Sequence, residues 1–221
     1  MVDIRPSRYT GVFTDGRDFF TVNLTPGEAV YGEKLISLAG REFRRWEPHR
    51  SKLSTLLHKG SPVWPFKRDT KVLYLGAASG TTASHLSDIC ADGALCCVEI
   101  SPRVFRELLD VAALRPNMMP FLGDAGRPET YRHVVGSVEV IYQDIAQRDQ
   151  VGILLRNMQF LRAGGHAFLM VKARSIDVAV EPATIYRQVS RELTSSGLNV
   201  LGSVNLDPFE RDHAAIVTSK P

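Results

Sequence analysis

With 221 residues, 44% of them hydrophobic, the chain has room for one full α/β domain plus a modest extension, and material for a real core. No apolar run reaches the length a membrane crossing needs, and the start of the chain lacks the basic-then-apolar pattern of a secretion signal, so a secreted or membrane-spanning life is not expected. The net charge of +3 is unevenly spread: residues 1–70 carry 12 Lys and Arg against 8 Asp and Glu, whereas residues 71–221 carry 15 against 16.

Residues 1–48 read as a small β-rich domain. Tyr9–Phe13 and Arg17–Asn23 flank Thr14-Asp15-Gly16, a hairpin signal, and Glu42–Trp46 alternates as a strand does. Pro48 blocks continuation, and Arg50–Lys59 then has helical spacing, with Leu53, Leu56 and Leu57 on one face. After the connector Ser61-Pro62-Val63-Trp64-Pro65, residues 49–221 alternate strand and helix. Strands are predicted at 71–75, 94–99, 118–122, 138–143 and 165–172, with helices at 81–90, 102–115, 128–135, 148–161 and 182–195. Crossovers of this kind force a mostly parallel sheet. The last two runs, 198–205 and 213–219, have no helix between them and read as a closing hairpin that inserts one antiparallel strand. The expected fold is therefore α/β, a Rossmann-like sheet of seven mostly parallel strands in the layout of the large methyltransferase fold.

The segment Lys71–Thr82 carries the strongest chemical signal. The apolar run Val72-Leu73-Tyr74-Leu75 enters a turn, Gly76-Ala77-Ala78-Ser79-Gly80, and Thr81 and Thr82 open the next helix. A dinucleotide fingerprint has glycine where Ala78 stands, because the backbone there must approach a pyrophosphate. Gly76 and Ala77 therefore suit a nucleoside without phosphate, and S-adenosylmethionine is the candidate.

The strand ends that follow each carry a suitable group. Glu99 lies 23 residues beyond Gly76, where an acid accepts from the hydroxyls of a ribose; it also sits where it could cap the helix at 102–115. Asp124, in Leu122-Gly123-Asp124-Ala125, suits the exocyclic amine of adenine, or else forms an ordinary Asp-Ala turn. Asp144 and Lys172 end the fourth and fifth strands side by side, able to hold each other and a substrate hydroxyl, or to form a rim salt bridge.

The remaining signals are weaker. Cys96 and Cys97 are adjacent in a predicted buried strand and, with Cys90, read as reduced packing residues of a cytosolic protein. His85, His133, His166 and His213 have no metal-ligand spacing, so no metal is expected. Neither a Gly-x-Ser-x-Gly elbow nor a phosphate-loop Gly-Lys-Thr is present. Arg41, Arg44, Arg45, Arg50, Lys52 and Lys59 lie close in sequence, either as a path for a phosphate backbone or, more in keeping with charge alone, as a solvated face.

Several runs resemble the fibrillarin family in its archaeal form, which lacks a Gly/Arg-rich N-terminal tail. They are Pro26–Lys34, Pro48–Leu53, Val72–Thr82, Gln143–Gln150 and Pro208–Ala214, and they span nearly the whole chain. The resemblance implies a 2′-O-methyltransferase acting on RNA, principally rRNA and also tRNA, within a box C/D guide-RNA ribonucleoprotein. It implies that Thr81 and Thr82 meet the methionine part of S-adenosylmethionine, Glu99 with Ile100 the ribose, and Asp124 with Ala125 the adenine. Asp144, Ile145, Ala146 and Gln147 would line the sulfonium end. Related heat-shock-type rRNA methyltransferases use a Lys-Asp-Lys-Glu set. The matching positions look like Lys52, Asp144, Lys172 and an acid of the Glu210–Asp212 run, with Asp212 expected because it directly precedes the last strand. The implied partners are guide and target RNA, a Nop-family scaffold protein and a kink-turn-binding ribosomal-type protein. The implied location is the cytoplasm of an archaeon, or the nucleolus if the source is eukaryotic. A protein or small-molecule methyltransferase on the same cradle is the competing reading.

Overall fold

The structure is a computed structural model describing residues 3–221; the first two residues of the expected 1–48 unit lie outside it. The N-terminal part forms five short strands, β1 (Arg5–Pro6), β2 (Phe13–Thr14), β3 (Phe19–Val22), β4 (Leu35–Leu38) and β5 (Arg41–Arg45), in the antiparallel order β1-β2-β3-β5-β4. The predicted hairpin is present but shorter. Phe13 pairs with Phe20 and Thr14 with Phe19, while Asp15 Oδ1 accepts from the N–H groups of Arg17 and Asp18 in the connecting turn. Tyr9 is not in a strand. Val12 N–H bonds to the Tyr9 carbonyl, and this turn drives Tyr9 and Val12 into the core. Strand β4 was not expected. It pairs with β5 through Ala39-Gly40, whose positive φ angles of 50° and 74° make the tight turn that matches strand twist.

Beyond a 3-10 turn at Pro48–Arg50 comes α1 (Lys52–Lys59), and then the alternation. It comprises β6 (Lys71–Leu75), α2 (Thr81–Ile89), β7 (Ala94–Glu99), α3 (Pro102–Ala113), β8 (Met118–Leu122), β9 (Val138–Gln143), α4 (Gln150–Asn157), β10 (Leu161–Lys172), α5 (Ala173–Ile176), α6 (Pro182–Ser195), β11 (Asn199–Asn205) and β12 (His213–Ser219). The seven strands run in the order β11-β12-β10-β9-β6-β7-β8, with only β12 antiparallel to its neighbours. That is the expected sheet. The predicted helix at 128–135 is only a 3-10 turn over Pro128–Thr130, and β10 begins at Leu161, where helix was expected.

Strand alternation sorts the core onto two faces. Leu73, Leu75, Leu169 and Val171 pack with Ile185, Val189 and Leu193 of α6. Tyr74, Phe168 and Met170 face the other way, toward Leu53, Leu56 and Leu57 of α1 and Leu86 of α2. The same second cluster includes Tyr9, Val12 and Trp46, so the N-terminal sheet shares its core with the nucleotide fold.

A buried ion network reinforces that junction. Arg44 donates to Glu33 Oε1 over 2.6 Å and to Asp88 Oδ2 over 2.8 Å, and Arg115 donates to Asp88 Oδ1 over 2.7 Å. Asp88 also accepts from the Thr21 hydroxyl and the Leu24 N–H, so both its oxygens are satisfied. Burial pushes the Glu33 carboxyl up, but the Arg44 charge and the N–H groups of Tyr31 and Val30 outweigh it and hold it below the usual value. His85 bridges Thr21 and Tyr31 and stacks on Trp46 at 4.8 Å. The three thiols are free and buried; burial pushes Cys96 up to about 11 and Cys90 up to about 12, so they are inert packing groups.

Candidate active site

The loop after β6 is shaped by backbone that few side chains allow. Gly76, Ala78 and Gly80 take φ values of 80°, 49° and 90°. A Cβ on Gly76 would collide with the Asp144 carbonyl oxygen and press on Ile145, so only glycine lets the tips of β6 and β9 close up. The N–H of Ala78 donates to Glu99 Oε2 over 2.9 Å, and the N–H of Ser101 donates to Oε1 over 2.8 Å. Glu99 thus ties the loop after β6 to the residue that precedes α3, without capping the helix itself. It anchors the turn into α3, and each oxygen keeps lone-pair capacity for a further donor.

Two adjoining clefts open along these strand tips. One, of about 320 Å³, is lined by Glu99, Ile100, Ala125, Ile145, Ala146 and Gln147. Its neighbour, of about 380 Å³, is lined by Arg50, Lys52, Thr81, Thr82, Asp144 and Lys172. Gly76, Ala78, Asp144, Ile145 and Ala146 line both, so a single elongated ligand can run from one into the other. The first cleft offers a diol acceptor in Glu99 and an apolar surface in Ile100, which is 54% exposed at its mouth. These features fit an adenosine. The second offers cations, an acid and the first turn of α2, which fit a charged amino-acid tail.

Asp124 is placed less directly. Its Oδ1 accepts from the Gly126 N–H over 2.7 Å, the ordinary turn weighed from sequence, while Gly123 and Ala125 on either side line the cleft.

In the second cleft, Lys52 Nζ lies 2.9 Å from Asp144 Oδ2, with the two side chains 19% and 22% exposed. The partner of Asp144 is therefore Lys52, from the helix before the nucleotide fold, and not the neighbouring strand-end lysine. Lys172 lines the same cleft and makes no ion pair among the described residues. Two supports escaped the sequence reading. Gln150, fully buried, clasps the backbone of Lys172 from both sides, donating to its carbonyl over 3.1 Å and accepting its N–H over 3.0 Å. Ser51 caps α1 by accepting from Ser54 N–H and bonds to the Thr82 hydroxyl over 2.9 Å, tying Lys52 to the first turn of α2. Only the pairing of amide and strand end in space reveals such clasps.

The expected fourth member does not join them. Asp212 sits at a positive φ of 59°, pairs with Arg174 at 3.1 Å and lines a separate cleft between α6 and β11. Its negative charge acts on Tyr186 there. Glu210 instead adds to the field of Asp144 on the buried Tyr142 phenol, whose proton is held chiefly by burial. Tyr142 packs edge-on against Tyr74, a residue of the active cleft, at 4.6 Å.

The basic cluster also resolves differently from either reading. Arg44 is fully buried in the ion network, Arg45 pairs with Asp18 and Glu47, and Lys52 pairs with Asp144. Only Arg41, Arg50 and Lys59 remain exposed. No group of three or more His, Cys, Asp or Glu positioned to hold a metal occurs among the described residues.

Residues 4–221 match the family model described as Fibrillarin. A relative from Methanopyrus kandleri, named fibrillarin-like rRNA/tRNA 2′-O-methyltransferase, is 48% identical over 212 residues, covering 95% of this chain and 91% of the relative. The structure of Aeropyrum pernix fibrillarin with natively bound S-adenosyl-L-methionine superposes with a TM-score of 0.89 at 46% identity, covering 99% of this chain and 100% of that one. A fibrillarin/Nop5p complex gives a TM-score of 0.89 at 38% identity, covering 98% and 100%.

Proposed function

The chain belongs to the fibrillarin family, and we propose that it methylates ribose 2′-oxygens of rRNA and tRNA with S-adenosylmethionine, as the catalytic subunit of a box C/D guide-RNA ribonucleoprotein. The observation that carries the reading is the Lys52–Asp144 pair, with Lys172 beside it, at the open end of a nucleoside cradle. When bound, S-adenosylmethionine supplies a methyl group on a positively charged sulfur that leaves readily as a thioether.

The chain's own tasks are alignment and activation of the alcohol. Glu99 accepts from the cofactor's ribose hydroxyls while its oxygens stay fixed by Ala78 and Ser101. Thr81 and Thr82 hold the amino-acid end, and Ala125, Ile145, Ala146 and Gln147 enclose the base and sulfur. Asp144 faces the reacting end with its negative charge held in place by Lys52. Lys172, lining the same cleft, orients the target 2′-hydroxyl and is the group placed to take its proton, its backbone set by the Gln150 clasp. The fourth position falls to an acid of the Glu210–Asp212 run, and the pairing of Asp212 with Arg174 in a separate cleft favours Glu210.

An isolated chain with three exposed basic residues in this region has little means of reading RNA sequence. Selection of the nucleotide therefore falls to base pairing with a guide RNA. A Nop-family scaffold, of the kind seen with the related fibrillarin, and a kink-turn-binding protein would place the enzyme. The competing small-molecule reading predicts that charge reversal at Arg41 and Lys59, which line neither cleft, leaves turnover intact, whereas RNA modification would be lost. The reading is tested by methyl transfer with Asp144→Ala and Lys172→Ala proteins at saturating cofactor. Turnover of both near the parental rate would refute the assignment.

A further inference from the structure

Arg50 stands apart from the other basic residues around the second cleft. Its backbone is fixed in the 3-10 turn by an N–H bond to the Glu47 carbonyl at 3.1 Å. Its guanidinium carbon lies 5.6 Å from the centre of the Tyr31 ring, within cation–π range. Tyr31 is itself pinned: its hydroxyl lies 2.8 Å from His85 Nε2 and 3.1 Å from the Arg45 carbonyl, and accepts the Glu47 N–H over 3.3 Å. Arg50 is therefore a long side chain resting on a rigid aromatic plate, at the wall between the active cleft and an adjoining cleft of about 390 Å³.

Its neighbours Arg44, Arg45 and Lys52 are all neutralised by acids, but Arg50 makes no ion pair among the described residues. It shares the active cleft with Thr81 and Thr82, which open α2. The residue before that helix, Gly80, supplies no side-chain acceptor to its first N–H groups. An unpaired guanidinium and uncapped N–H groups that line one cleft together favour a planar anion there. The amino-acid tail of a cofactor whose ribose is held at Glu99 would bring a carboxylate to that place.

We infer that Arg50, held by Tyr31, binds the carboxylate of the cofactor's amino-acid tail and so positions the sulfur end in the cleft. This rests on the S-adenosylmethionine reading above. A phosphate of the RNA substrate is the other anion the same guanidinium could serve. The shared wall with Thr81 and Thr82 favours the carboxylate.

Calorimetry with two probes separates the possibilities. S-adenosylhomocysteine carries the carboxylate; 5′-methylthioadenosine keeps the nucleoside and lacks it. Arg50→Ala should weaken S-adenosylhomocysteine by about tenfold, the loss of one charge-assisted bond at a partly solvated site, and leave methylthioadenosine unchanged. Unchanged S-adenosylhomocysteine affinity, with or without weaker binding of RNA, overturns the inference. So does an equal loss for both probes, which marks a general distortion of the cleft. If the parental protein binds neither probe, the methyltransferase reading itself fails, a result distinct from failure of the Arg50 assignment.

Discussion

Lys52 of α1 and Asp144 beyond β9, 92 positions apart in the chain, meet at 2.9 Å. Together they join the helix that follows the N-terminal sheet to the reactive end of the cleft. Replacing Asp144 with Asn removes the charge facing the sulfur and leaves Lys52 without its partner. Methyl transfer should fall by about 10²-fold or more, the range set by loss of a positioned acid–base group. Stability should fall by only about 1 kcal/mol, because the pair is partly solvated. Single-turnover rates beside thermal melts check both. Comparable damage to fold and rate would mean a structural role alone.

The tip of β6 allows no side chain at Gly76, since a Cβ there meets the Asp144 carbonyl and the φ of 80° is already unfavourable for other residues. Gly76→Ala should cost roughly 2 kcal/mol or more and weaken cofactor binding, because relief of the clash displaces Asp144. Melting and calorimetric titration of the same preparation test this together.

Paired variants distinguish Glu210 from Asp212. Asp212→Asn loses only a half-exposed pair with Arg174 and should keep transfer near the parental rate. Glu210→Gln should reduce it by about tenfold or more. The reverse ranking would return the role to Asp212.

The sheet order and the cradle were legible because alternation, the Gly76–Gly80 loop and acids at successive strand ends are local signals. Proximity of Asp212 to β12 in sequence does not tell that a left-handed turn pairs its side chain with Arg174. Strand β4 was hidden because Ala39 occupies a conformation that sequence patterns assign to Asn or Gly. Arg44 was the deepest miss. An arginine counts as surface until three acids and hydroxyls, drawn from Glu33, Ser84 and Asp88, are seen to surround it.

That network gives a strong stability prediction. Arg44→Met leaves Glu33 and Asp88 buried and short of a cation, which costs roughly 3–5 kcal/mol when one partner is removed. In a chain of this size the melting temperature should drop by about 10 °C. A shift within error of the parental protein would show the network to be slack.

His85 sets the pH dependence. Burial first, then the charges of Arg44 and Arg115, hold it neutral well below the ordinary value of 6.5. The unfolded chain takes up this proton more readily, so stability is complete above 6.5 and is lost as pH falls below it, by about 1.4 kcal/mol per unit. Half-buried His58 and His166 act in the same direction, lowered chiefly by burial. His85→Asn should be less stable at neutral pH yet show a shallower loss on acidification. Parallel profiles for the two proteins would assign the acid loss elsewhere.

The most direct measurement reconstitutes the chain with a Nop-family scaffold, a kink-turn-binding protein, guide RNA and target, and maps where the methyl lands. A methyl on the 2′-oxygen of the single guide-paired nucleotide, absent with Lys172→Ala, is the predicted result. A methyl on a base, or on a protein in the assembly, or none despite bound cofactor, would contradict it.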